Sequence, residues 1–115
     1  MTEPQLDVLR GTLDLLILKA VAHQPLHGYA ITRWVKTASQ DMINVEDRAL
    51  YLALHRLEAQ NAIRGRWTTS PSGRRAKLYE IAAAGRKRLA ADEAHWRQYV
   101  AAMGLVLAAD PTGGA

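Results

Sequence analysis

The side chains that could do chemistry in this sequence are arranged to meet a charged partner and not to catalyse. His23 and His27 stand four residues apart, the spacing of two ligands on one helix face, but Pro25 lies between them and no acid neighbours them at metalloprotease spacing. No glycine-rich phosphate loop is present, and no serine sits in an elbow motif. Asp14 is a lone carboxylate in an apolar segment, explained as a charge near the positive end of a helix. No catalytic residue, metal-ligand set or cofactor site is expected, and catalysis is rejected. The basic residues are another matter. Residues 48 to 88 hold ten of the fifteen Lys and Arg but only Glu58 and Glu80 of the eleven acids, ten minus two or +8, while the remainder is five minus nine or −4. A basic middle between acidic flanks is the footprint of a polyanion partner, because each neutralised phosphate releases counterions. A solvated surface explains the same charge equally well.

The positions of these cations depend on the elements that carry them. In "RALYLALHRLEAQNAIRGRW", residues 48 to 67, Leu50, Leu54 and Leu57 recur at i, i+4 and i+7, the spacing of a helix face seeking a core. Arg48, Leu52, His55, Arg56 and Ala59 project to the opposite side, with Tyr51 at the border. Two helices precede this one. The first is "TLDLLILKAVAH", opened by Thr12 as an N-cap with Leu13, Ile17, Ala20 and Val21 on one stripe. Pro25 and Gly28 interrupt the chain before "YAITRWVKTAS" resumes helical spacing and ends near Ser39. Residues 42 to 45 read as a short extended piece, after which Glu46 or Asp47 caps the third helix, expected to stop near Asn61.

Beyond it the texture becomes strand-like. "IRGRWTT" and "RAKLYEI" flank "SPSGR", whose proline and glycine form turns, so the pair predicts a hairpin. A turn centred there puts Ile63, Gly65 and Trp67 on one face with Tyr79 and Ile81, and Arg64 and Arg66 on the other beside Leu78 and Glu80. A long helical segment over 82–109 follows, and "DPTGGA" is a frayed tail. Three helices and a two-stranded ribbon are the order of a winged helix-turn-helix: mainly α, with a β-hairpin wing and a long C-terminal dimerisation helix. In that fold the third helix enters the major groove of double-stranded DNA and the basic wing grips the backbone. Leu52 would then pack on a thymine methyl.

The residues that carry a family resemblance are "LRGTLDLLILKAVAHQPLHGYAI" at 9–31, "LYLALHRLE" at 50–58 and "SGRRAKLYEIAAAGRKRLA" at 72–90. Together they resemble the PadR family of bacterial transcriptional regulators over roughly residues 9 to 107. The resemblance implies a winged-helix homodimer acting as a repressor, and the length and single terminal helix look like the smaller subfamily, in which that helix makes the dimer. It gives a DNA-binding unit at 9–82 and a dimerisation helix at 83–109. Tyr51, His55 and Arg56 match the family pattern, as do Gly73, Arg74, Arg75 and Lys77 in the wing. Where relatives read Gly-Ser-Leu-Tyr-Pro, this chain has Arg48, Ala49, Leu50, Tyr51 and Leu52.

Each site has a plainer reading beside the functional one. Arg74, Arg75 and Lys77 at the hairpin tip are a phosphate grip or an ordinary solvated loop. His55 is a base or phosphate contact or a surface histidine. Tyr51 is expected to bury its ring against the second helix and reach a phosphate with its hydroxyl. On the terminal helix Leu89, Trp96, Val100, Met103 and Leu107 form a stripe with Tyr99 and Val106 beside it, too wide for this small core to cover, so a second copy is the expected cover. The family's small-molecule binding near that interface makes Trp96, with Tyr99, a platform for a small aromatic or apolar effector; a plain interface aromatic is the alternative.

Composition agrees with this class. A chain of 115 residues with 49% apolar content fits one domain of modest core. The absence of cysteine excludes disulfides and thiolate sites and fits a reducing cytoplasm. The apolar run at residues 15 to 18 is far too short to span a bilayer, and the acidic "MTEPQLD" is unlike a secretory signal, so a soluble, unprocessed cytoplasmic protein is expected. The rival reading is a winged-helix module whose basic face binds an acidic protein.

Overall fold

Leu50, Leu54 and Leu57 decide where the third helix lies. In the computed structural model, which describes residues 11–113, all three are buried among Ile17, Leu18 and Val21 of the first helix and Ile31 and Val35 of the second. Leu9 and Arg10, where the expected domain begins, lie outside the described residues. The element order is α1 (Leu13–His23), β1 (Leu26–His27), α2 (Gly28–Ala38), α3 (Asp47–Ala59), β2 (Ile63–Thr69), β3 (Arg75–Ile81) and α4 (Ala83–Ala108). Burying each such leucine contributes about 1.5–3 kcal/mol. The inner face of α3 is therefore pinned, and its other face is turned outward.

The second and third helices, α2 and α3, stop by the same backbone device. Gln40 and Asn61 adopt positive φ, and the amides of Asp41 and Ala62 return to the carbonyls of Lys36 and Leu57 while those of Gln40 and Asn61 reach Thr37 and Glu58. These paired bonds satisfy carbonyls that the helix end leaves open, and Asn is the non-glycine residue that tolerates the conformation most readily. Residues 42 to 45 carry only an isolated bridge at Ile43 where a short extended piece was expected. Glu46 takes the N-cap of α3 without a side-chain cap bond.

The hairpin strands have the predicted bounds and register, with Ile63 opposite Ile81, Gly65 opposite Tyr79 and Arg66 opposite Leu78. One correction concerns the sheet. It is three-stranded, in the order β1-β3-β2, because Leu26 and His27 pair antiparallel with Tyr79 and Leu78. A two-residue strand has no readable alternation, which is why its sequence reads only as punctuation. Of the expected frayed tail, Gly114 and Ala115 lie outside the described residues, and residues 110–113 are exposed. Asp110 accepts bonds from the Thr112 amide at 2.9 Å and hydroxyl at 2.6 Å, which hold its carboxyl below the ordinary range.

The first turn of α4 is set down directly on the α3–β2 junction. The Ala82 amide donates to the Ala62 carbonyl at 3.0 Å, and a Cβ added to buried Gly85 would collide with that same carbonyl and with Ile81. Backbone cannot yield there as a flexible side chain can. Gly85→Ala is expected to cost about 1–3 kcal/mol through overpacking, read as a lower denaturation midpoint. Ala84→Ser, at the exposed neighbouring position, should stay within about 0.5 kcal/mol.

Candidate nucleic-acid interface

The outward face of α3 carries the residues the periodicity assigns to it. Arg48, Tyr51, Leu52, His55, Arg56 and Ala59 are all exposed, opposite buried Leu50, Ala53, Leu54 and Leu57. Tyr51 corrects one expectation, since its ring is not packed against α2 but stands 67% exposed. It faces a cleft of about 270 Å³ between the wing and the start of α2, lined also by His27, Tyr29, Trp67, Arg75 and Lys77. Tyr29 stacks on His27 with centroids 5.6 Å apart and lies within cation–π reach of Arg33. These α2 residues were missed by the sequence reading because nothing in their spacing separates them from ordinary surface.

The wing divides its cations between two jobs. Its turn closes with the Ser70 amide on the Arg74 carbonyl and the Gly73 amide on the Ser70 carbonyl, and Gly73 has φ +84, so the glycine serves the backbone there. Arg74 lies in this exposed turn, and Arg75, the first residue of β3, sits 5.0 Å over the exposed indole of Trp67. Lys77 is not at the tip. It pairs with Trp67 across the hairpin and its ammonium donates to Glu58 of α3 at 2.8 Å. The stem reaches that carboxylate over Gly65, where any Cβ would strike the Lys77 side chain. Lys77 thus clasps the wing to α3. The His27 ring closes the other side, its Nδ1–H donating to the Lys77 carbonyl at 3.0 Å.

Asp14 also departs from the expectation of an unpartnered helix-start charge. Its side chain is only 11% exposed and binds two guanidiniums, Arg56 of α3 through one oxygen and Arg88 of α4 through the other at 2.8 Å. The signal was present in kind, since a carboxylate within a buried stripe must be compensated. Which arginine compensates it is a matter of tertiary contact.

The terminal helix uses its apolar residues in two ways. Leu89 packs against the core of its own chain, so the free stripe begins beyond it. Trp96 is half-buried and stacks with Tyr99 at 6.5 Å, beside a cavity of about 610 Å³ between the start of α1 and α4, lined further by Leu15, Arg88, Asp92 and His95. Val100, Met103 and Leu107 are exposed, as are Leu105 and Val106. His23 packs near Trp34, 6.3 Å between centroids, away from His27 and its carbonyl partner. No described helix is long and apolar enough to cross a membrane.

A family model described as the transcriptional regulator PadR-like family matches residues 17–91, from within α1 to the first turns of α4. The chain belongs to the PadR-like family. It is similar to a solved PadR family transcription regulator from Clostridium difficile R20291 at 28% identity and TM-score 0.73, covering 84% of this chain and 99% of that one. It is similar also to a solved PadR family transcriptional regulator from Eggerthella lenta, at 30% identity and TM-score 0.74 over 88% of this chain and 86% of that one. A protein of Lysinibacillus sphaericus described as uncharacterized is 25% identical over 92 residues, 80% of this chain and 84% of its own. The molecule is a PadR-family transcriptional regulator of winged-helix fold, and not an enzyme. The family match contains α3 and the wing but ends before Trp96 and the exposed stripe of α4.

The clasp between wing and α3 makes a pH prediction. The hydrogen bond it donates to Glu58 holds the Lys77 ammonium above its ordinary value of 10.5, against a smaller opposing effect of burial. A raised folded value means the contribution is complete below about 10.5 and is lost as pH climbs through the folded value. Glu58→Gln should return the Lys77 amine towards 10.5 in an NMR titration and speed amide exchange in β2 and β3 at neutral pH. An unchanged titration in the variant would show that Lys77 draws nothing from Glu58.

Proposed function

We propose that the chain is a homodimeric, sequence-specific DNA-binding repressor of the cytoplasm, with residues 9–82 as the reading unit and 83–109 as the dimerisation helix. The observation that carries the reading is the two-sidedness of α3. Its leucine face is fully committed to the core, while Arg48, Leu52, His55 and Arg56 stand exposed beside a basic wing. Such a face suits the major groove, where Arg and His meet acceptors on base edges and Leu52 meets a thymine methyl. Tyr51, Arg74 and Arg75 then serve the backbone, with Gly73 shaping the turn that presents them and Lys77 bracing it. A dimer is supported by the apolar exposure on α4, where Leu105 and Leu107 are 76% and 77% exposed in the single chain. The effector reading is supported by the Trp96 and Tyr99 pair at the α1–α4 cavity, which offers aromatic surface to a small planar or apolar molecule.

The deciding experiment is selection of bound fragments from random DNA with the purified protein, followed by competition against generic duplex. A DNA reader loses affinity steeply with salt and still prefers its selected site. A module for an acidic protein enriches no sequence, and that outcome would overturn the reading. Within it, Arg75→Ala should weaken selected and generic duplexes alike and flatten the salt slope by about one unit. Val100→Glu puts a charge into the proposed dimer contact, and sedimentation should show monomer or aggregate with loss of the selected site, since two half-sites are no longer read together.

A further inference from the structure

Arg56 is the one cation on the outer face of α3 whose guanidinium is already held by the protein. Among the described residues its hydrogen bond goes to Asp14 alone, so most of its five N–H donors remain for another partner. Asp14 is nearly buried on α1 and divides its two oxygens between Arg56 and Arg88. Arg88 is itself divided, donating to Gln60 at 2.7 Å and to Asp92 at 3.4 Å as well as to Asp14 at 2.8 Å. One carboxylate therefore joins α1, α3 and α4. It is a polar link between the exposed face of α3 and the helix that carries the apolar stripe, beside the direct bond from Arg88 to Gln60 at the end of α3.

We infer that Asp14 is the positioning residue for Arg56 at the DNA surface, and that Arg88 sets how much of the Asp14 charge Arg56 feels; this rests on the DNA-reading proposal above. A guanidinium bonded on one edge to a fixed carboxylate keeps its plane and presents the other edge in a defined direction, as recognition of a base edge requires. The same pair lowers its attraction for phosphate, because part of its charge is already compensated. Releasing it turns an oriented donor into a mobile cation. Removing Arg88 does the reverse, leaving Asp14 to Arg56 alone.

The contrast makes a test that a merely structural role does not pass. The probe is a labelled random-sequence duplex titrated over a range of salt with the full chain. The loss of affinity on Arg56→Gln should be at least about twofold greater in the Asp14→Asn background than in the otherwise unaltered protein, the low end of measured coupling between contacting residues. Asp14→Asn alone should tighten duplex binding and steepen the salt slope by about one unit. Asp14→Glu, which keeps the charge, should restore the original slope. Arg88→Gln supplies an independent measurement should Asp14→Asn not fold: it should weaken binding more than Lys87→Gln, the loss of the exposed cation next to it. Additive effects in the cycle, or equal losses at 87 and 88, overturn the proposal. Failure of the unaltered protein to bind duplex in a salt-dependent way overturns instead the DNA reading on which it stands.

Discussion

Everything on the exposed side of this molecule follows from the commitment of the other side of α3 to a very small core. Leu50, Ala53, Leu54 and Leu57 are buried in one cluster with residues of α1 and α2. A helix fixed along one face cannot rotate, so the direction of Arg48, Leu52 and His55 is fixed by leucines that never approach a partner. A cavity-forming change among those leucines costs about 2–5 kcal/mol, a large fraction of the stability of a domain this size. Selection for a steady outward face and selection for folding therefore act on the same side chains.

Packing sets the rotation of α3, and two charged contacts add to the placement of its neighbours. Glu58 near the C-terminal end of α3 takes the ammonium of Lys77 from the wing, over the open backbone of Gly65. Arg56, two residues earlier, takes Asp14 from α1, which also holds Arg88 of α4. Both contacts are partly shielded, where ion pairs are screened less than on open surface. Their value lies less in net stability, which buried pairs supply weakly, than in the cost of separating them once formed.

How much of this was legible in sequence follows the range of the interaction responsible. The α3 faces, the strand bounds and the hairpin register depend on periods of 3.6 and 2 residues and on one turn, all local, and these were readable. The pairing of β1 with β3 joins residues some fifty apart, and two residues show no period. Asp14 was misread for the same reason: Arg56 and Arg88 lie 42 and 74 positions away. Lys77 groups with Arg74 and Arg75 by sequence neighbourhood, yet it sits further from the turn along β3, where its ammonium reaches Glu58 of α3. Leu89 belonged by spacing to the stripe of α4, and only the seating of that helix on α1 assigns it to the internal core.

That seating also limits what α4 can do alone. Its first turns are locked to the junction after α3 by Gly85 and the Ala62 carbonyl, while its last turns carry Val100, Met103 and Leu105 to Leu107 exposed among the described residues. In the proposed dimer, a helix mounted at one end and apolar at the other would carry a change in its crossing with the second copy to the proposed reading heads. Half-sites on one face of DNA lie about 34 Å apart, so even a small rotation of such a lever moves one head off its site. A ligand produces that rotation only if it binds the non-reading arrangement better, and DNA must then weaken the ligand by the same factor. The cavity beside Trp96 lies between α1 and the stretch of α4 leading to the apolar end, next to the proposed crossing, which is where the proposed effector would have to act.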